Sequence, residues 1–154
     1  MSVRGLSGLI VTIMAAGEVV ALPAEDQRLL HAALVDLADD AGDAAERVWH
    51  RHGGRPDTLA DPGVMRAVPG VRPALWEAVG ANLLTAHENS DGSGDYRLTP
   101  TQRANASRTL LRLPADEVAV LHRVGASWAL RSTSRKNAAK GAGSPAATRR
   151  VKLA

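Results

Sequence analysis

The oxygen-rich stretch HENSDGSGDYRLTP, residues 87–100, has the composition of a loop that could bind calcium. A calcium loop of the EF-hand type needs oxygen ligands at positions 1, 3 and 5, glycine at position 6 and a bidentate glutamate at position 12. If the loop starts at Asn89, position 12 is Pro100, which offers no ligand. If it starts at Asp91, position 6 is Tyr96 and position 12 is the uncharged Gln102. Each register lacks a group that the chemistry requires, so we expect no tight calcium site.

His50 and His52 are the nearest approach to a metal-binding or catalytic pair. Residues two apart in a helix point roughly 200° away from each other, so the two rings diverge. The chain has no cysteine, which excludes disulfides, thiolate metal sites and a cysteine nucleophile. It also has no phosphate-binding loop, dinucleotide fingerprint or nucleophile elbow. We therefore expect a protein that is not an enzyme, with no catalytic residue, metal ligand or cofactor.

The charge of the chain is concentrated at its C-terminal end. The net charge of +3 over 154 residues comes from a segment, residues 131–154, that has seven cations and no acid. Subtracting these seven charges leaves −4 on residues 1–130. The seven cations are Arg131, Arg135, Lys136, Lys140, Arg149, Arg150 and Lys152. From residue 132 on, the Gly, Ser, Ala, Lys and Arg composition without apolar periodicity predicts a disordered basic tail behind a single domain of residues 1–131.

The apolar N-terminal segment, residues 6–21, is predicted to be a buried first element. Its uninterrupted part is shorter than the roughly 20 residues that span a bilayer, and Glu18 then breaks it. We therefore expect no membrane insertion and a cytoplasmic location. The run favours a helix, although its β-branched residues leave a strand open.

The rest of the chain reads as helices separated by glycine and proline. Pro23 is placed near the start of a helix whose apolar stripe is followed by a break at Gly42. Further helices are predicted from Asp61 to about Val68, over residues 72–84 and from Thr99, and the last one ends near residue 130. The helix over 72–84 is expected to bury Leu75, Trp76 and Val79, and the last helix Val118, Leu121 and Val124. The three tryptophans are expected to anchor the core, and an exposed one would mark an interface.

The stretch that opened the calcium question is better explained as a β-hairpin. Its segment DGSG, residues 91–94, is a strong turn, and the flanks LLTAHE and DYRLT can pair as strands. The order DPGVMRAV, PG, RPALWEAVGANLL and TAHENSDGSGDYRLTP gives helix, turn, helix and hairpin. This order resembles a winged helix-turn-helix domain over residues 60–112. A helical bundle with one incidental hairpin remains the alternative.

In winged-helix domains the second helix of the pair enters the major groove and the wing contacts the DNA backbone or minor groove. The resemblance implies nucleic-acid contacts from Arg66, Arg72, Asn82 and Arg97, with Ser90 and Ser93 at the wing tip. Arg103 belongs to a run without acids over residues 97–112 that adds positive charge or forms a solvated surface. The seven tail cations can neutralise phosphates without sequence readout, or the tail serves solubility or docks on an acidic partner. The exposed face of the reading helix is expected to carry Ala74, Glu77 and Ala78, which offer little for base recognition.

The fold class predicted from the sequence is mostly α, a helical domain with one winged-helix-like β-hairpin and a disordered basic C-terminal tail. The leading functional hypothesis is non-catalytic, regulatory association with nucleic acid. The alternative is an adaptor subunit of a multi-protein complex that binds through its apolar N-terminal helix or its hairpin. In either case we expect a protein partner or a homo-oligomer.

Overall fold

The computed structural model of the chain describes the backbone of residues 3–54 and 71–143 and the side chains of residues 5–54 and 71–133. These ranges form six helices and a three-stranded antiparallel sheet, which confirms a mostly helical fold with a β-hairpin. The helices are α1 (Val3–Gly17), α2 (Arg28–Asp39), α3 (Asp43–Arg51), α4 (Val71–Gly80), α5 (Pro100–Leu111) and α6 (Ala115–Gly143), and the strands are β1 (Ala21–Pro23), β2 (Thr85–Glu88) and β3 (Gly94–Arg97). The helix predicted from Asp61 to Val68 lies outside the described residues.

Helix α1 is the centre of the core and packs against α4, α5 and α6. Its large side chains Leu6, Leu9, Ile10, Ile13 and Met14 are all buried. A helix that is apolar on nearly all sides must be covered on all sides, and three neighbouring helices do this. The N-terminal apolar segment is thus a buried helix, as the sequence favoured. Within the described ranges, no helix has both the length and the apolar character needed to cross a membrane.

A strand that the sequence did not predict follows α1. The chain turns at Glu18, whose φ of 55° lies in the left-handed region, and then forms β1. Strand β1 pairs with β3, so the order in the sheet is β1-β3-β2. Pro23 ends this edge strand, where its missing N–H costs no ladder hydrogen bond. Helix α2 begins only at Arg28, whose backbone N–H donates to Asp26 Oδ1 at 3.2 Å, so the prediction of Pro23 at a helix start is wrong.

The predicted hairpin is confirmed. Strand β2 lies within the first predicted flank, β3 begins one residue before the second, and Ala86 lies opposite Tyr96. At the turn, Gly92 has a φ of 88°, a conformation that favours glycine. Asp91 Oδ1 accepts hydrogen bonds from the backbone N–H of Ser93 at 2.9 Å and from its hydroxyl at 2.6 Å. The side chain of Asp91 therefore holds the turn closed.

The helix boundaries at Gly42 and Thr99 agree with the sequence. The backbone N–H of Gly42 donates to Asp40 Oδ1 at 2.8 Å between α2 and α3. Thr99 and Gln102 form a capping box at the start of α5, where each side chain bonds the backbone N–H of the other. The apolar stripe of α2 is buried except for Leu29, which is partly buried. Leu121 and Val124 of α6 are buried as expected, whereas Val118 is only partly buried.

Helix α6 continues further than the sequence indicated. The last helix was expected to end near residue 130 and a disordered tail to begin at 132, but the backbone is helical to Gly143. Residues 134–140, SRKNAAK, include alanine, arginine and lysine, which have high helix propensity and can prolong a helix without apolar packing. Residues 144–154 lie outside the described residues.

Candidate nucleic-acid interface

Helix α4 turns its alanine side toward the core. Ala74, Leu75 and Ala78 are fully buried, and α4 packs on α1. The sequence placed Ala74 and Ala78 on the exposed face beside Glu77, and for both alanines this is wrong. Their small side chains allow the two helices to approach closely, whereas a larger residue would hold them apart.

The outward face of α4 carries Arg72, Pro73 and Trp76. Trp76 is 58% exposed, so its predicted role as a core anchor is wrong, while the other two tryptophans are buried as expected. The indole meets the ring of Tyr96 on β3 edge to face, with the ring centroids 6.1 Å apart and the planes at 86°. Tyr96 itself is buried, so this contact fastens α4 to the sheet and leaves most of the indole in solvent.

Arg97 lies on the opposite face of the sheet from α4. Successive strand residues point to opposite faces, and Tyr96 points toward α4. Arg97 forms a bidentate pair with Asp95 at 2.8 and 3.1 Å and also donates to Asn89 Oδ1 at 3.0 Å. Partial burial raises the pKa of Asp95, but the hydrogen bonds from Arg97 and Asn89 lower it more, so this carboxyl titrates below its ordinary value. The structure therefore separates Arg97 from Arg72 and neutralises its charge.

Asn82 follows α4 and has an architectural role. Its φ of 60° is left-handed, a conformation that asparagine tolerates better than most residues. Gln102 Nε2 donates to the backbone carbonyl of Asn82 at 3.3 Å and to its Oδ1 at 3.2 Å. Gln102 is buried and also belongs to the capping box of α5. Asn82 thus connects the end of α4 to the start of α5. This role is structural and differs from the base recognition predicted for Asn82.

Two further predicted contact residues are paired within the chain. Arg103 Nη2 lies 3.1 Å from Glu18 Oε1, and Arg131 Nη1 lies 3.0 Å from Asp36 Oδ2. Both pairs are partly exposed and contribute little stability, but they reduce the charge available to a phosphate. Among the described residues Arg72 forms no ion pair, although it shares a shallow depression with Glu25 and Asp26.

The remaining predicted contact residues lie in the hairpin turn, on the last part of α6 or outside the described residues. Ser93 bonds Asp91 in the hairpin turn, and Ser90 is exposed beside it. Arg135, Lys136 and Lys140 lie on the helical backbone of α6. Arg66, Arg149, Arg150 and Lys152 lie outside the described residues. The described side chains include 10 arginines and 14 acidic residues, a net charge of −4.

A buried carboxylate that the sequence analysis missed joins α3 to α6. Glu117 is fully buried in the first turn of α6 and accepts hydrogen bonds from Arg51 Nε at 3.0 Å and Arg51 Nη2 at 3.1 Å. Arg47 Nε donates to the same carboxylate at 3.3 Å, and its guanidinium also pairs with Asp116. The partners are about 70 positions apart, so no local pattern reveals them. This cluster is structural, because it ties two helices together.

The two histidines of the possible metal pair have different environments. His50 is exposed, whereas His52 is half-buried and its Nδ1 lies 2.9 Å from the carbonyl of Val48. Burial lowers the pKa of His52 below its ordinary value, and nearby Arg51 lowers it further, against the opposing hydrogen bond to Val48. Over residues 5–54 and 71–133, no three His, Asp or Glu side chains are grouped so that they could hold a metal ion.

Compared with protein-family models, curated proteins and solved structures, the chain matches none of them. The case for a function therefore depends on the geometry and charge of this chain alone.

Proposed function

We propose that the chain is a non-catalytic, winged-helix-like protein of the cytoplasm that associates with nucleic acid in a regulatory role. The observation that carries this proposal is the separation of charge along the chain. The described side chains sum to −4, whereas residues 134–143 prolong α6 as a helix with three cations and no acid. A basic helix beyond an acidic body attracts phosphates without bringing the acids close to them.

The arrangement of α4 and the hairpin supports the winged-helix part of the proposal. The two elements are consecutive, and the Trp76–Tyr96 contact holds them together. Strand β1 adds a third strand, which gives the hairpin a firm base. The exposed face of α4 offers Arg72 for a phosphate and Trp76 for an apolar or stacking contact. Arg97 and Asn82 form hydrogen bonds within the chain, so they support nucleic-acid binding less than the sequence suggested.

The test is binding of the full-length protein to a fluorescently labelled DNA duplex over a series of salt concentrations. The logarithm of the affinity falls with the logarithm of salt by about 0.9 for each phosphate contact. The triple variant Arg135→Gln, Lys136→Gln, Lys140→Gln keeps good helix formers and is expected to flatten this slope. The matched control is Arg108→Gln with Arg112→Gln, two exposed arginines of the α5 end, which should leave the slope unchanged.

The double variant Arg72→Gln, Trp76→Ala distinguishes binding by the outer face of α4 from binding by the basic end of α6. Loss of affinity in this variant would assign a contact to α4, and unchanged affinity would leave α6 as the binding element. An unchanged slope in the triple variant would remove the α6 contribution. If the full-length protein does not bind at low salt, the nucleic-acid proposal fails.

A second candidate is an assembly subunit, which the 58% exposure of Trp76 favours. An exposed tryptophan beside a hairpin is typical of a binding hot spot. The rival surface on the N-terminal helix has little support, because the apolar residues of α1 are covered by its own core. Sedimentation velocity over a range of concentrations tests self-association through this face. Trp76→Ala should then shift the chain to monomer, whereas Leu111→Ala, which removes an even more exposed apolar residue of α5, should not.

A further inference from the structure

A cavity of about 260 Å³ opens between α1, α5, the end of α3 and the connection from α4 to β2. Its inner part is formed by Val11, Thr12 and Ala106, which are buried, and its wall by His52 and Leu83. Asn105 lies exposed at the rim. A cavity of about 150 Å³ accommodates a benzene ring, and one water takes about 30 Å³, so this space exceeds a packing defect.

Thr12 and Gln102, two buried polar residues that line the cavity, already have hydrogen-bond partners within the chain. The Thr12 hydroxyl donates to the carbonyl of Gly8 at 2.8 Å. Gln102 uses both ends of its amide: Nε2 donates to Asn82, and Oε1 accepts from the Thr85 hydroxyl at 3.0 Å and from a backbone N–H. Neither group needs a ligand to satisfy it, so both form a pre-organised wall.

His52 differs from Thr12 and Gln102 because one of its ring nitrogens is left as an acceptor. Its Nδ1 lies 2.9 Å from the carbonyl of Val48, which can only accept, so Nδ1 carries the proton. In the neutral ring Nε2 is then a bare acceptor, and it bonds to no other residue of the described part of the chain. Burial and Arg51 lower the pKa of His52, which keeps the ring neutral near pH 7, against the opposing influence of Val48 and Glu117. The described lining residues include no Asp, Glu, Lys or Arg.

We propose that this cavity binds a small, neutral, ring-sized molecule whose hydroxyl donates a hydrogen bond to His52 Nε2. The volume sets the size to about one ring with short substituents. The uncharged, mainly apolar lining selects against ions, because a buried charge without a partner is costly. The acceptor at Nε2 selects an alcohol or phenol over a ketone of the same shape. This ligand site is separate from the outer face of α4, so its test is independent of the test for nucleic-acid association.

The experiment titrates the isotope-labelled full-length protein at pH 7.5 with cyclohexanol, phenol and cyclohexanone and follows amide chemical shifts by NMR. Saturable shifts that centre on Gly8, Val11 and Ala106 are expected for the two hydroxyl compounds. Cyclohexanone, which cannot donate, should bind about five- to tenfold more weakly, the usual value of one hydrogen bond. His52→Leu should reduce cyclohexanol binding to the level of the ketone and leave the ketone unchanged.

Two variants fill the cavity to different extents. Gly8→Ala adds a methyl group whose nearest described neighbour would be His52 Cδ2 at 3.8 Å, an ordinary contact, so the fold should tolerate it while ligand affinity falls. Ala106→Leu fills more of the space and should abolish binding, whereas Ala104→Leu, exposed on the same helix, should bind as the parent does. Failure to observe saturable binding up to the solubility of the probes overturns the site. Equal affinity for cyclohexanol and cyclohexanone overturns the role of His52.

Discussion

Two glycines let the backbones of two helices approach closely, and replacing one of them gives a sharp test of the fold. Helices α1 and α6 meet at Gly17 and Gly125. A Cβ atom on Gly125 would lie 2.5 Å from the backbone nitrogen of Gly17 and 2.9 Å from the carbonyl oxygen of Ile13. Ordinary contacts begin at 3.4 Å. Gly125→Ala therefore requires α1 to move by nearly an ångström, because backbone atoms cannot rotate out of the way.

The effect on the free energy of unfolding follows from the packing contacts that this movement of α1 weakens. Overpacking a core costs up to about 3 kcal/mol, and a clash between backbones belongs at the upper end. A gap of about 0.5–1 Å elsewhere along the interface between α1 and α6 removes roughly a quarter to a half of the dispersion energy of each atomic contact. Alanine returns about 1 kcal/mol through its higher helix propensity. We expect a net destabilisation of about 2 kcal/mol, equivalent to a fall in Tm of about 4–8 °C for a chain of this size.

Thermal unfolding followed by circular dichroism measures this change. Gly8→Ala is the matched control, since it gains the same helix propensity without a clash and should raise Tm by about 2 °C. Gly17→Ala should cost at least as much as Gly125→Ala, because a Cβ atom on Gly17 would lie only 2.2 Å from the carbonyl oxygen of Gly125. The double variant should lose less than the sum, because separating the helices once makes room for both methyl groups. A Gly125→Ala protein as stable as the parent would refute the close crossing of α1 and α6.

Three further predictions concern buried and exposed groups. Glu117→Gln removes the charge that two arginines share and should lower the free energy of unfolding in urea by about 2 kcal/mol, whereas the exposed Asp116→Asn should change it by less than about 1 kcal/mol. His52 has a pKa below its ordinary 6.5 in the folded state, so the unfolded chain binds the proton first. The part of the stability that depends on His52 should therefore be constant above about pH 6.5 and decline as the pH falls from there through the lowered folded pKa. His31, whose pKa is also lowered by burial, acts in the same direction, so His52→Gln should reduce the decline without removing it in urea titrations from about pH 8 to 5. Acrylamide should quench one accessible class of tryptophan fluorescence, which Trp76→Phe removes; complete protection in the parent protein would contradict the exposure of Trp76.

Short-range patterns predicted several elements correctly because their causes lie within a few residues of each other. The hairpin follows from a turn in which Asp91 and Gly92 supply the hydrogen bond and the backbone conformation that the geometry requires. The start of α5 follows from Thr99 and Gln102, three residues apart, as a capping box demands. The apolar stripe of α2 and the all-round apolar α1 likewise indicated what had to be buried.

The orientation of α4 could not be obtained in this way. The sequence predicts Leu75 and Trp76 on the buried side of this short helix, because apolar character alone favours the tryptophan over the two alanines. The side of α4 that becomes buried depends on how closely α1 approaches, and α1 lies about 60 positions earlier in the chain. Strand β1 is hidden for a related reason, since three residues become a strand only because β3 provides their hydrogen bonds.

The sequence by itself determined the burial of α1, the break at Gly42, the hairpin turn and the start of α5, because these properties depend on neighbours along the chain. Tertiary structure alone decided that Trp76 faces solvent, that Glu117 is buried between two arginines and that Arg97, Arg103 and Arg131 are paired. Charge pairing and helix orientation depend on which distant surfaces meet, and residues about 70 positions apart leave no periodic trace of that meeting in the sequence.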